Sequence, residues 1–588
     1  MLSENSTKTL EKKQVRFRIA LIGFLFIALF ITIGSRAVYL QVFRGPWLSQ
    51  KAAYEYEKYL TLNGKRGTIF DSKLKEMAVS IEVTSVAAHP SQIKDVKTAA
   101  LLLARELGMN HKKLTRKLGS KRAFVWIKRQ ISPREAKAVR NLKLEGIGFI
   151  PEHNRFYPNT MLAAQVVGFT GIDGRGLEGI EFSYDTYLKG SAGKFKIFKD
   201  ALGRRFSRAF ASEAGNAQNY SGKNLVLTID STIQYVTEKA LKQSVTRFSA
   251  KSGMAVVMHP KTGAVLALAH YPLFNPNSYR TFGREQWRNR AITDPFEPGS
   301  TMKIFSAAAA IESGYCSPDT IFFCENGKYK VGEDIVHDTR SHGWLTLQKI
   351  IKYSSNIGAV KISEMIGPES LYNTLRGFGF GKKTRVDCPG ETAGNLSSYR
   401  RWSKIDTGAI SFGQGISVSA IQLVTAVSAI ANEGILMKPY IVREITDHKG
   451  NTLETFAPRE VRKVISARTA GIVKKMMKSV VDRGGTGVNA ALKSYTACGK
   501  TGTAQKINKK GEYADGKYIA SFVGFAPEDH PELAILVVIN EPEDGHYGGI
   551  VAAPAFREIA HETLNYMNVL PNIDTDKLTV SKESGKSG

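Results

Sequence analysis

Ser300 and Lys303 stand three residues apart, in Pro298-Gly299-Ser300-Thr301-Met302-Lys303, at the head of an Ala-rich run. On a helix that spacing puts both side chains on one face, a turn apart. A serine hydroxyl is a weak nucleophile until a base takes its proton, and a lysine can be that base once burial and nearby cations lower its pKa. A helix N-terminus adds N–H groups aimed at developing negative charge. The chemistry on offer is serine acyl transfer. The spacing alone proves little, because Ser72 and Lys75 repeat it with no apolar helix behind them.

Two downstream groups supply what the pair lacks. In Ser354-Ser355-Asn356, Ser354 can relay a proton to a leaving group, and Asn356 can donate to and accept from a substrate amide. Local helix capping is the alternative use of these side chains, and Ser3-Glu4-Asn5 matches the pattern by accident. In Lys500-Thr501-Gly502-Thr503, the lysine and two hydroxyls suit a carboxylate, while Gly502 lets a substrate approach the backbone. Lys261-Thr262-Gly263 is a decoy, a turn that precedes Ser300 in the chain.

These groups need a scaffold, and 588 residues allow about two to four domains. The segments 254–258 and 264–268 read as a hairpin about Lys261-Thr262-Gly263, and 518–525 and 534–539 read as further strands. Residues 301–312 read as a buried helix and 553–567 as another. The fold class expected is α+β, with a mostly antiparallel sheet flanked by helices. Basic residues at 8, 12, 13, 16 and 18 precede an apolar segment at 19–42 that reads as an uncleaved transmembrane anchor. The flanking charge puts residues 1–18 in the cytoplasm and the remainder outside. The polar stretch 212–222 reads as a linker, which gives a front portion at 43–221, a back portion at 222–570 and a polar, disordered tail at 571–588.

The net charge of +29 points to an acidic partner. Nucleic acid is excluded as that partner by the exported placement and by the lack of any nucleic-acid-binding signature. Cys316, Cys324, Cys388 and Cys498 form no CxxC pair; Cys316 and Cys324 either pair across a short loop or remain buried thiols. His337 and His342 have no third ligand at a telling spacing, so no metal or cofactor is expected. Gly484-Gly485-Thr486-Gly487 lacks the Gly-Lys-Ser/Thr ending of a phosphate loop and reads as a flexible surface loop.

The order Ser300, Ser354, Lys500 resembles the penicillin-binding proteins and serine β-lactamases. Arg66-Gly67-Thr68-Ile69-Phe70-Asp71, Arg155-Phe156-Tyr157-Pro158, Gly176-Leu177-Glu178-Gly179-Ile180-Glu181 and Phe412-Gly413-Gln414-Gly415 narrow the resemblance to class B high-molecular-mass penicillin-binding proteins. The segment 289–294 and Tyr547-Gly548-Gly549 are similar to the division-type members. In the first box Ser72 and Leu74 depart from the usual residues, Leu74 standing where a glycine is usual. The resemblance implies a peptidoglycan D,D-transpeptidase at the inner membrane, with an elongated pedestal of the dimerisation type. It implies stem peptides on lipid-linked glycan strands as substrate, β-lactams as inhibitors, and a SEDS-type glycosyltransferase with other division proteins as partners. Catalytic roles would fall on Ser300, Lys303, Ser354, Asn356 and Lys500, and substrate binding on Thr501, Gly502 and Thr503. The rivals are a β-lactamase or β-lactam sensor, an elongation-type transpeptidase and a non-enzymatic division scaffold.

Overall fold

The computed structural model describes residues 4–45, 47–48, 57–122, 124–190, 192–198, 221–507 and 513–573. Most of the expected linker (212–220) and most of the expected tail (574–588) lie outside these residues. The chain divides into two compact units, one of residues 1–62 with 192–220 and one of 63–191 with 221–588.

In the first unit, helix α1 (Glu4–Val38) runs through the basic segment into the apolar one and continues as a short π-helical turn, Tyr39–Phe43. Residues Phe17–Phe43 are long and apolar enough to cross a membrane, with none of the most apolar window buried. The strands Glu57–Asn63 and Ala192–Phe198 pair with each other.

The second unit opens with strands β1 (Ile69–Phe70) and β2 (Glu76–Ala88). Helices α2 (Val96–Leu107) and α3 (His111–Leu118), strand β3 (Val125–Ile131), helix α4 (Pro133–Asn141) and strand β4 (Ile147–Phe156) follow. Leu103, Leu107, Leu114, Leu118, Ile127 and Val139 form a small core of their own there. β2 pairs with β1, β3 and β4, and β1 runs parallel to β5 (Asn224–Leu227), which pairs in turn with Val442–Thr446. One seven-stranded sheet thus contains strands from both sides of residue 200.

Helix α5 (Ser231–Arg247) leads into β6 (Ser252–Met258) and β7 (Val265–Tyr271), the expected hairpin. The rest of the scaffold is α6 (Lys303–Glu312), β8 (Asp334–His337), α7 (Leu347–Tyr353), α8 (Asn356–Gly377), α9 (Ala420–Ala431) and α10 (Ala467–Val481), then β9 (Cys498–Ile507), β10 (Tyr513–Ala526), β11 (Leu533–Asn540) and α11 (Ala553–Tyr566). The order β9-β10-β11-β6-β7 is antiparallel throughout. Leu241, Val245, Phe556 and Ile559 of α5 and α11 pack on one face, beside Val257, Ile535, Val537 and Ile539 of the sheet. α9, buried on every side, belongs to the larger core on the other face with Val256, Leu536 and Val538. Both faces are covered, so Leu533–Asn540 reads as a continuous apolar run rather than an alternation. The fold is the expected α+β arrangement.

Candidate active site

Ser300 sits in a 3-10 turn, Gly299–Met302, which leads into α6. Gly299 has φ +56, and a side chain there would put its Cβ 2.8 Å from the Thr503 carbonyl oxygen. The Gly299 N–H donates to the Gly413 carbonyl at 3.1 Å, and the Thr301 hydroxyl to that of Pro298 at 2.8 Å. The segment around Phe412-Gly413-Gln414-Gly415 therefore clamps the turn that carries Ser300. Ser300 remains half-buried while Thr301, Met302 and Lys303 are enclosed.

One turn on, Lys303 is 1% exposed. Its Nζ donates to the Ser354 carbonyl and to Asn356 Oδ1, each at 2.6 Å, and to Ser354 Oγ at 3.3 Å. Burial pushes this amine down to about 7, against the opposing pull of the Asp338 carboxylate. Lys500, fully buried on β9, donates from Nζ to Ser354 Oγ at 2.9 Å and to the Thr501 carbonyl at 3.1 Å. Burial, then the neighbouring Lys303, hold Lys500 well below the usual lysine range. A single hydroxyl is shared by two buried lysines, an arrangement suited to moving protons and opposed to both lysines being charged at once.

Ser354 ends α7 with φ +66, a left-handed conformation that costs a non-glycine residue about 1–2 kcal/mol. Such strain persists where the surroundings over-determine it. Ser355 then caps α8, its Oγ accepting from the Gly358 N–H at 2.9 Å. Asp338, just after β8, accepts from the Asn356 and Ile357 N–H groups and from the Ser355 hydroxyl. The His337 carbonyl accepts from Asn356 Nδ2 at 2.8 Å. So the amide of Asn356 is fixed at both ends, by β8 and by Lys303.

On β9, Gly502 lies opposite Ser521 of β10. A Cβ at Gly502 would come within 2.9 Å of Thr301 Cγ2 and 2.3 Å of Ser521 Oγ. Its bareness lets the nucleophile turn lie on the strand, a packing reason beside the substrate-approach reason read from sequence. The Thr503 hydroxyl accepts from the Gly548 N–H at 3.2 Å, and the Thr501 hydroxyl donates to Thr486 Oγ1 at 3.1 Å. All eight site residues expected from sequence thus fall on the nucleophile turn, α6, the α7–α8 junction or β9.

Three contributors carry no local sequence signal. Asp338 is eighteen residues from Asn356, and nothing near it marks it as a cap. Gly413 is recognisable only through the family pattern. Thr486 belongs to the glycine-rich stretch read as a flexible surface loop. That stretch is instead held in place: the Gly487 N–H donates to the Val480 carbonyl at 2.9 Å, Lys352 Nζ donates to the Arg483 carbonyl at 3.1 Å, and a Cβ on Gly549 would lie 2.2 Å from the Thr486 oxygen. Among the described residues no cluster could hold a metal; His342 stacks on Tyr353 with ring centroids 5.5 Å apart. All four cysteines are free and buried, which decides between the two readings of Cys316 and Cys324.

Residues 253–561 match the family described as "Penicillin binding protein transpeptidase domain", and residues 61–227 the "Penicillin-binding Protein dimerisation domain". The chain belongs to the penicillin-binding proteins. Among curated members it is 35% identical to the "Probable peptidoglycan D,D-transpeptidase PenA" of Neisseria meningitidis, over 94% of this chain and 93% of that one. It is 32% identical to the peptidoglycan D,D-transpeptidase FtsI of Escherichia coli, over 98% and 96%. Of solved structures, penicillin binding protein 3 of Mycobacterium tuberculosis, complexed with aztreonam, superposes with a TM-score of 0.68 at 30% identity, over 87% of this chain and 98% of that one. This class B penicillin-binding protein is a serine-type peptidoglycan D,D-transpeptidase, with peptidoglycan as substrate and β-lactams as ligands. Its N-terminal apolar helix fits the single-pass anchor of such an enzyme.

Proposed function

We propose that this penicillin-binding protein cross-links stem peptides at the division septum through an acyl-enzyme on Ser300. Ser300 attacks the carbonyl between the two terminal D-alanines of a donor peptide, and neutral Lys303 takes its proton. The oxyanion lies between the N–H groups of Ser300 and Thr503. Ser354, with Lys500 behind it, delivers a proton to the departing D-alanine. Asn356 holds the donor amide, Thr501 and Thr503 its carboxylate, and Gly502 leaves the strand open. An acceptor amine from a neighbouring strand then resolves the ester. A β-lactam mimics the donor and blocks Ser300.

The observation that carries this reading is Lys303, buried, one turn beyond Ser300, and held near pKa 7 among Ser354, Asn356 and Lys500. Residues 1–18 are cytoplasmic, 19–42 the anchor, 43–221 a pedestal that docks partners, 222–570 the periplasmic transpeptidase portion and 571–588 a polar tail. The partners are a SEDS-type glycosyltransferase and other division proteins. Labelled penicillin tags the wild type and not Ser300→Ala; equal tagging overturns the assignment. Slow release of the tag separates this enzyme from a β-lactamase. Midcell localisation supports the septal role, and side-wall localisation moves the enzyme to elongation.

A further inference from the structure

Residues 94–145 carry fifteen Lys and Arg against four Asp and Glu. About a tenth of the chain therefore holds more than a third of its net charge of +29. The four acids are already engaged. Asp95 caps α2, Glu106 pairs with Arg105, Glu135 with Lys128 and Glu145 with Lys94. Five cations at and just beyond α3, namely Lys112, Lys113, Arg116, Lys121 and Arg122, are exposed and form no ion pair among the described residues. Leu114 and Leu118 of the same helix face inward, into the small core shared with α2, β3 and α4.

We propose that this face of α3 and its following turn binds nascent peptidoglycan through the carboxylates of its stem peptides, delivering strands to the transpeptidase site. The proposal rests on the transpeptidase reading above and extends it from the reacting peptide to the polymer that carries it. A surface ion pair contributes little alone, so a cationic face like this binds firmly only to a ligand that repeats its charge. The polymer made on the exported side of the membrane does so. A lipid surface fits less well. A helix that docks on a bilayer presents apolar side chains beside its cations, whereas both leucines of α3 are turned inward and residues 111–122 contain no Phe, Tyr or Trp.

The test compares the full-length protein in detergent micelles with the variant K112Q/K113Q/R116Q/K121Q/R122Q. Each is titrated against immobilised uncross-linked glycan strands, against the same strands with carboxylates amidated, and against vesicles containing phosphatidylglycerol. The wild type binds native strands at least about tenfold more tightly than the variant does, and the difference shrinks with added salt. Wild type also binds amidated strands as weakly as the variant binds native ones, which decides the matter even if the variant fails to fold. Unchanged tagging by labelled penicillin shows that it does fold. Equal binding of native and amidated strands by the wild type overturns the proposal, as does a loss confined to vesicles. Ser300→Ala retains strand binding, so failure of the catalytic assignment is read separately.

Discussion

Asp338→Asn isolates the residue that ties the Ser354-Ser355-Asn356 segment to the electrostatics of Lys303. The carboxylate accepts three hydrogen bonds, from the Asn356 N–H, the Ile357 N–H at 3.0 Å and the Ser355 hydroxyl. An amide keeps only one of the two acceptor oxygens. With its oxygen kept on the two backbone N–H groups, the amide presents NH2 to the Ser355 hydroxyl, which must turn from donor to acceptor; the charge-assisted Ser355 bond is lost, at about 1.5–3 kcal/mol. If that energy is lost from the geometry holding Ser354 and Asn356, acylation slows by roughly 10- to 100-fold. The substitution also has a pH signature. Lys303 lies at about 7 because burial lowers it while Asp338 opposes the fall. A carboxylate stabilises the protonated amine, so its removal favours the neutral form and lowers the Lys303 pKa further. In the proposed mechanism only neutral Lys303 accepts the Ser300 proton, so wild-type acylation is expected to fall as pH drops through about 7, and the variant's limb to move to more acid pH. The assay is the second-order rate of tagging by labelled penicillin between about pH 5 and 9. A purely structural role lowers the rate at every pH and leaves the limb in place. A rate within about twofold of wild type, or a limb moved toward alkaline pH, refutes the reasoning.

Gly548→Ala would put a Cβ 2.1 Å from the Ser521 carbonyl oxygen and 2.4 Å from that of Gly502, so β9 must shift where Thr503 receives the Gly548 N–H. Tagging by labelled penicillin falls by more than about tenfold with little change in far-UV circular dichroism. Leu74, exposed between β1 and β2, has φ +62. Leu74→Gly relieves a left-handed conformation that outweighs the glycine's extra entropy, raising stability by about 0.5–1 kcal/mol in chemical denaturation with tagging unchanged.

The candidate site residues were legible because they lie in short runs with characteristic order. The scaffold was legible where one face or both faces of an element are apolar: the hairpin of β6 and β7 and helix α6 fall close to their expected bounds. β9 was not read as a strand, because Lys500, Thr501, Gly502 and Thr503 obey site and packing demands rather than a strand's alternation. Gly484-Gly485-Thr486-Gly487 lies at the surface as expected, but its contacts with the site were not legible. Glycine signals both mobility and close approach, and only the neighbours show which. Here the neighbours are the Val480 carbonyl, Lys352 and Gly549.

The motifs outside the reaction have a shared physical basis. Arg66, Arg155 and Glu181 come from three separate boxes, yet Arg66 Nε and Arg155 Nε each lie 2.6 Å from one oxygen of the Glu181 carboxylate. Arg66 also reaches Asp185 at 2.6 Å, and Arg155 donates to the Gly67 carbonyl at 2.7 Å. Glu181 is fully buried, so the group is costly unless every member is present. Asp71 of the first box accepts from the Ser231 N–H at the start of α5, the helix that covers the five-stranded sheet. These residues do no chemistry. They join the strand bearing the first box to the helix and sheet behind the reaction site, and removing any one member leaves a buried charge without its partner. The same logic separates Asp71 from its neighbour Ser72, whose Ser-x-x-Lys spacing to Lys75 merely decorates a turn that Asp71 organises by accepting from the N–H groups of Lys73 and Lys75.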